Sequence, residues 1–446
     1  IAADYLLRRY DWLPENLVSG ESNWSVEIAV PSPTKDHLVQ IKADSYLDEL
    51  EFQLSDKAQN HADSKISFST VIDVLNNDGL HIDAAAAYVK ADEIEVSNIL
   101  ELYAVRDENR LWGFDVESKY ITGKGSFTEG LAKETNVKLD LEKIDLYALF
   151  VNENNQQPQP FRPSDFPPLS WKAKKVLWDE WVFSDVALET AWHKHGMLIN
   201  KFSLKGPSMS FDARGTWLTS WRDSHETVLQ GTIKGDNLGQ ALAGYGFERS
   251  IDDSSYQASF NAKWLAEPYD ISWEKMKGTT SFEMKEGLLL EVDPGAGGRL
   301  LGLLNIFKLA NRLVLDFTDV TEEGFSFDRI QGEFEFVNGD GSLNKFNILA
   351  PAADINMFGS IGLLKRDYGL LMRVKPHTDS LTFAGGALLG GVAVGAGLAL
   401  IQKVFDLGVI GHNVYSITGS WDDPVIEKII ERKAESYPYT ADEDEF

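Results

Sequence analysis

Few residues of this chain have the types and spacing that chemistry needs. His193 and His195 form its only close histidine pair; two apart on a strand, they would share one face. A zinc site needs three or four ligands, and here there is no cysteine and no nearby third ligand. The pair therefore reads as exposed polar residues. The stretch LLLEVDPGAGGRLLGLL at 288–304 has the strand, glycines and helix of a dinucleotide-binding turn in order. Leu300 stands where the third glycine belongs and no βαβ alternation surrounds it, so it reads as a plain strand-to-helix turn. No Gly-x-Ser-x-Gly elbow, His-Glu-x-x-His helix or phosphate loop occurs. Carboxylates are abundant, but no pair stands out from the acidic background. The expectation is a protein that is not an enzyme, with no metal and no cofactor.

Composition narrows the field. The chain has 446 residues, 43% hydrophobic and 25% charged, the proportions of a folded protein, and at this length two or more packed units are expected. A net charge of −27 argues against nucleic acid as a partner, because phosphates call for a basic surface. It argues equally against simple electrostatic docking on anionic lipid. The lack of cysteine leans toward an exported location. The chain begins at Ile1 without the basic and apolar regions of a signal peptide, and a fragment or processed form is expected.

With no constellation to position, the elements themselves carry the information. Trp24, Val26, Ile28 and Val30 alternate with polar neighbours, as do Phe334 and Phe336, Phe346 and Ile348, and Ile355 and Met357. Period-2 alternation puts the apolar side chains on one face of a half-buried strand. Gly206-Pro207 and Asn338-Gly339-Asp340-Gly341 punctuate the strands as turns. A mostly antiparallel β protein is predicted. Helical spacing is sparse: it recurs at 299–309, and 5–10 (YLLRRY) and 425–433 (VIEKIIERK) are short amphipathic candidates.

A repeat runs through the second half. NKFSLKGPSMSFDARGTW at 200–217 aligns without gaps onto NKFNILAPAADINMFGSI at 344–361, an offset of 144 residues. The same offset pairs Phe183 with Phe327, Val186 with Ile330, Glu189 with Glu333, and Gly215 with Gly359. Either shared strand–turn–strand grammar produces the match, or one β unit is reiterated into an elongated array. The expected organisation is a β segment at 1–152, a Pro/Gln-rich linker at 153–168, and a second β segment at 169–380. An apolar Gly-rich segment follows at 381–410, then a final strand and helix at 411–433 and an acidic, solvated tail at 434–446.

The apolar segment is unlike the rest. Residues 380–402 hold no charge, and six of these 23 residues are glycine. As a helix the run would span roughly 34 Å, enough for a bilayer, but each glycine costs about 1 kcal/mol against alanine. Its strongly apolar members include Phe383, Leu388, Leu389, Val392, Val394, Leu398, Leu400 and Ile401, the candidates for membrane contact. Insertion at an outer membrane, a helical plug and an ordinary core helix all remain open.

PSDFPPLSW (163–171), DNLGQALAGYGF (236–247), LLLEVDPGAGGRLLGLLNI (288–306), LVLDFTDVTEEGFSFDRIQGEFEFVNG (313–339) and YSITGSWDDPVIEKI (415–429) together resemble the C-terminal region of YhdP-type members of the AsmA-like family. The resemblance spans most of 163–433, and residues 1–150 are compatible by strand pattern. It implies a Gram-negative envelope protein in the periplasm, anchored in the inner membrane by an N-terminal helix that this chain lacks. It further implies a long, twisted β-groove with a few short helices, its C-terminal end near the outer membrane. The implied role is phospholipid movement between the two membranes in outer-membrane biogenesis. The implied partners are phospholipid and both membranes, with protein partners unassigned, and the family supplies no catalytic residues.

Physical chemistry adds why such a groove needs no polar constellation. An acyl chain loses about 0.8 kcal/mol per CH₂ exposed to water, so shielding takes only apolar side chains on one strand face. The candidates for that lining are Phe202, Leu204 and Phe211; Phe282, Met284 and Leu290; Leu315, Phe317 and Ile330; Phe334, Phe336, Phe346 and Ile348; and Ile355 and Met357. Alternation alone does not separate a groove from a scaffold with a closed, dry core. A carbohydrate-active β enzyme is a third and weaker class.

Overall fold

The computed structural model describes residues 18–20, 22–30, 37–46, 50–52, 64–76, 79–90, 96–130, 135–150, 162–163, 166–219, 224–247, 249–290, 325–377 and 413–429. The predicted alternation folds into strands throughout the described residues. The first ten are β1 (Val18–Gly20), β2 (Trp24–Ala29), β3 (His37–Tyr46), β4 (Leu50–Phe52), β5 (Ser64–Leu75), β6 (Leu80–Lys90), β7 (Val96–Arg106), β8 (Leu111–Ser118), β9 (Ile121–Thr128) and β10 (Val137–Asp145). A short helix, α1 (Leu146–Phe150), precedes β11 (Leu169–Trp178), β12 (Trp181–His193), β13 (Gly196–Gly206), β14 (Met209–Thr219) and β15 (His225–Gly235). After α2 (Leu238–Gly244) come β16 (Ile251–Asp252), β17 (Ser255–Trp264), β18 (Met276–Leu289), β19 (Phe325–Val337) and β20 (Asp340–Leu349). The last four are β21 (Ala353–Gly362), β22 (Asp367–Pro376), β23 (Asn413–Ser420) and β24 (Pro424–Lys428).

β1 and β4 pair with each other; the other 22 strands form one twisted sheet. Neighbours in it are antiparallel, apart from β10 and β11. β16 and β17 are two parts of one bent strand: both pair with β18, and the bend falls at Asp253, whose φ is 48°. Among the described residues no pairing returns from β24 to β2, so the sheet is open. At about 4.8 Å per strand it is roughly 100 Å wide across the strands.

The parallel step explains the proline-rich connection. Antiparallel neighbours need only a turn, whereas a parallel partner requires the chain to travel back along the sheet. Leu146 and Leu149 of α1 pack onto a cluster of Leu141, Ile144, Ala173, Val176 and Val186 at one end of the strands. At the other end the ring of Phe166 lies 6.0 Å from that of Trp217. The sheet runs on through this step, with β10 and β11 paired from Val137↔Leu169 to Asp145↔Leu177.

The 144-residue repeat is structural. β12 (Trp181–His193) maps at that offset onto β19 (Phe325–Val337), the start of β13 onto that of β20, and the start of β14 onto that of β21. Their irregularities map as well. The bulge between Glu189 and Thr190 reappears between Glu333 and Phe334, and that between Ile199 and Phe202 between Leu343 and Phe346. Shared turn grammar does not require an extra residue at the same place, Asn200 and Asn344; reiteration of one unit does.

The Asn-Gly turn is as predicted, with Asn338 at φ 50° and Gly339 at φ 89° joining Val337 to Asp340, the two left-handed residues of a type I′ turn. One expectation is corrected. The stretch 425–433 is a candidate for a short amphipathic helix, yet Pro424–Lys428 is a strand, with Ile426 opposite Ile417; residues 430–433 lie outside the described residues. A nine-residue helix is marginal in water, and the open edge of β23 supplies hydrogen bonds that it lacks. The helix candidates at 5–10 and 299–309 lie outside the described residues.

Candidate functional site

Register, not any single motif, builds the site. Directly opposed residues form one row that crosses the sheet, one residue per strand. It starts Ile28, Ile41, Ile72, Ile82, Ala104, Phe114, Gly125, Leu139. It continues Trp171, Leu188, Phe202, Ala213, Gly231, Phe260. It ends Thr280, Phe334, Leu343, Gly359, Leu370, Ile417, Ile426. Thr280 is the only polar side chain in it. The next row lies on the other face and reads Asp83, Tyr103, Asp115, Lys124, Asp140, Lys172 in its central part, with Lys124 and Asp115 ion-paired at 2.9 Å. One face of the sheet is therefore apolar from β2 to β24.

Aromatic rings tie neighbouring strands together on this face. Phe202 meets Phe211 edge-on at 5.3 Å, Phe211 stacks on Phe260 at 5.6 Å, and Phe282 reaches Phe346 at 6.1 Å. Such pairs add about 0.5–1.5 kcal/mol each beyond their burial. Burial rises steeply along the face. Ile28 is 64% exposed and Val26 53%, whereas Ile330, Ile348, Ile355 and Ile417 are at 0%. The largest buried cluster accordingly spans β16 to β23.

Burial favours the protonated form of two phenols on this face. Burial pushes the Tyr256 phenol up to about 12, helped by nearby Tyr245 and Asp236, and its hydroxyl donates to the Ser208 carbonyl at 3.1 Å. Burial, with a contribution from Asp422, also raises that of Tyr368. Arg106, at the rim, is paired with Glu129 at 3.3 Å.

Most sequence candidates lie on this face. Phe202, Phe334 and their row are joined by Leu204 opposite Phe211 and by Phe282 opposite Gly332. Met284 faces Ile330, Ile330 faces Ile348, Ile348 faces Ile355, Phe346 faces Met357, and Phe336 faces Gly278. Leu290 lies one residue beyond β18, out of step with Leu289, which faces Phe325. Leu315 and Phe317 lie outside the described residues, as do Phe383, Leu388, Leu389, Val392, Val394, Leu398, Leu400 and Ile401. Sequence reasoning missed Ile41, Ile72, Ile82, Leu139 and Trp171, although period-2 alternation across 37–46 and 64–75 was the available signal. His193 and His195 are exposed, with rings 6.1 Å apart. No cluster of potential metal ligands occurs among the described residues.

A sequence-family model described as YhdP protein matches residues 81–426. The chain belongs to the YhdP family. It is 24% identical over 337 residues to the Intermembrane phospholipid transporter YhdP of Escherichia coli (strain K12), an alignment covering 69% of this chain and 26% of that protein. The chain thus corresponds to about a quarter of the length of this YhdP relative. No solved structure matches it. The family match covers the strands from β6 to β24, and with them most of the apolar row.

Proposed function

We propose that this chain is one segment of a lipid conduit, in which the apolar face shields phospholipid acyl chains while headgroups stay in water. The observation that carries this reading is the apolar row, broken only by Thr280, across an open sheet. A shield for a mobile chain needs apolar continuity over its whole path, since every exposed CH₂ costs about 0.8 kcal/mol, and needs no converging polar groups. The name of the Escherichia coli relative supports phospholipid as the cargo. In this reading the protein works in the periplasm of a Gram-negative envelope, between inner and outer membranes. The reading involves no catalysis and no cofactor. No helix among the described residues is long and apolar enough to cross a membrane, and we assign the membrane contact to residues 381–401.

The near-complete burial of Ile348, Ile355 and Ile417 favours a second reading for the C-terminal strands, a closed and dry core that stiffens the assembly. Native mass spectrometry of the purified chain separates the two. A conduit carries co-purifying phospholipid that organic extraction removes. A chain that purifies lipid-free and takes up none from vesicles is a scaffold.

A further inference from the structure

The two rims of the proposed trough differ. One rim is formed where β12 ends, β14 ends and β17 ends. Here opposed residues make a second row, Trp192, Met197, Trp217, Thr227, Trp264 and Met276, which places three tryptophans along one edge of the apolar face. At the same rim Trp112, the second residue of β8, stacks on Phe127 at 6.0 Å, and Trp171 lies two strands before Trp192's partner β13, deeper in the face. The other rim, over the same strands, presents Ile144, Val176, Phe183, Leu204 and Ile233, and beyond them Trp178 opposite Trp181, each 40% exposed; what sets the first rim apart is the state of its indole donors.

Two of these indoles are satisfied within the protein. Trp217 donates from Nε1 to His225 Nδ1 at 3.2 Å, and Trp264 donates to the Glu267 carbonyl at 2.8 Å. Trp112, Trp171 and Trp192 are not: each buries its indole N–H from solvent with no acceptor, and the hydroxyl of Thr219 at the same rim is in the same position. At the opposite rim the one comparable group among the described residues is the Tyr245 hydroxyl. A buried donor without a partner costs about 1–3 kcal/mol, so three on one edge mark a place where an acceptor belongs. Indoles favour the boundary where an apolar body meets polar oxygens.

Resting on the conduit reading, we propose that this rim is a headgroup rail. The indole N–H groups of Trp112, Trp171 and Trp192 donate to the glycerol-ester and phosphate oxygens of a diacyl phospholipid, whose chains point across the trough toward the opposite rim. Lipid then travels with one orientation, side-on to the strands. An indole donates without carrying charge, so the rail holds anionic and zwitterionic headgroups alike and binds neither tightly enough to stop it.

The test uses the whole chain with Trp112, Trp171 and Trp192 changed together to Phe, which keeps an aromatic ring and removes the donor. Two probes are read, dioleoylphosphatidylcholine taken up from vesicles and the apolar dye diphenylhexatriene. The rail predicts unchanged dye binding with phospholipid retention lowered on the order of tenfold. Retention equal to wild type with dye bound normally overturns the rail and leaves the conduit standing. If wild-type protein binds neither probe, the conduit reading fails and takes the rail with it. Should the triple variant not fold, Trp112→Phe, Trp171→Phe and Trp192→Phe are read singly; lowered phospholipid retention with unchanged dye binding supports the rail, and retention equal to wild type in all three overturns it.

Discussion

Phe282 lies with its ring against the backbone of Gly332 in the facing strand, where a Cβ on the glycine would come within 2.5 Å of the ring's Cζ. Phe114 does the same over Gly125, at 2.2 Å. The missing side chain lets a large ring lie flat on the sheet and still cover backbone. Gly332→Ala is therefore expected to force the ring or the strand aside, costing about 1–3 kcal/mol in denaturant unfolding. Gly332→Ala combined with Phe282→Leu should recover part of that loss, because the smaller side chain makes room. Two substitutions whose costs simply add would show that the contact is not what matters.

The graded burial of the apolar face sorts the effect of a charge by position. Phe202 is only partly buried, so Phe202→Asp is expected to leave the sheet folded and to reduce lipid retention, because a carboxylate would face the acyl chains. Ile348 is fully buried, and Ile348→Asp should cost several kcal/mol and unfold the C-terminal strands. Circular dichroism and lipid extraction on the two variants check this. Full lipid loading in a folded Phe202→Asp protein would remove Phe202 from the path.

Asn344 is the extra residue of a bulge that occurs in both copies of the repeat. Deleting it would leave Leu343, Lys345 and Phe346 in regular alternation against Phe334, Glu333 and Gly332, so Phe346 and Ile348 keep the apolar face and the protein is expected to fold. Deleting Asn347, which lies in a regular stretch, would instead turn Ile348 toward the polar face and is expected to unfold the C-terminal strands, seen as rapid cleavage there in limited proteolysis. An Asn344 deletion cleaved as fast as the Asn347 deletion would mean that the bulge is indispensable.

Tyr256 contributes stability that alkali removes. Its folded pKa, about 12, lies above the ordinary tyrosine value of 10, so between these pH values the unfolded chain ionises while the folded protein holds its proton. This contribution is complete below pH 10 and declines as pH rises toward 12. Tyr256→Phe should flatten that part of the alkaline limb in thermal melts. At neutral pH it should cost about 1 kcal/mol for the lost bond to Ser208. An unchanged alkaline limb would assign the pH dependence elsewhere.

Removing residues 381–401 tests the assigned membrane contact. β22 and β23 are adjacent and antiparallel, so a short connection suffices to join them, and the remaining residues between them exceed that need. The shortened protein is expected to keep its sheet and to lose flotation with phosphatidylcholine liposomes. Equal flotation of both proteins would move the contact to another part of the chain.

Strand identity was legible in the sequence because it is local: Phe334, Phe336 and Ile348 alternate with polar neighbours, and Asn338-Gly339 has the backbone freedom its turn needs. The repeat was legible too, since its bulges leave every apolar position at a constant offset of 144 residues. Residues 425–428 of the helix candidate 425–433 form a strand instead, because whether a short apolar segment becomes helix or strand depends on the partner edge that β23 offers. Only tertiary structure decided that the alternating faces join. The row from Ile28 to Ile426 exists because register brings together residues hundreds of positions apart, and register is set by hydrogen bonds between strands. The parallel step at β10 and β11 was equally invisible, since strand direction depends on where the connection re-enters the sheet. The unpartnered indoles of Trp112, Trp171 and Trp192 are a tertiary fact for the same reason. A tryptophan in a sequence carries one donor, and only its surroundings determine whether an acceptor is within reach.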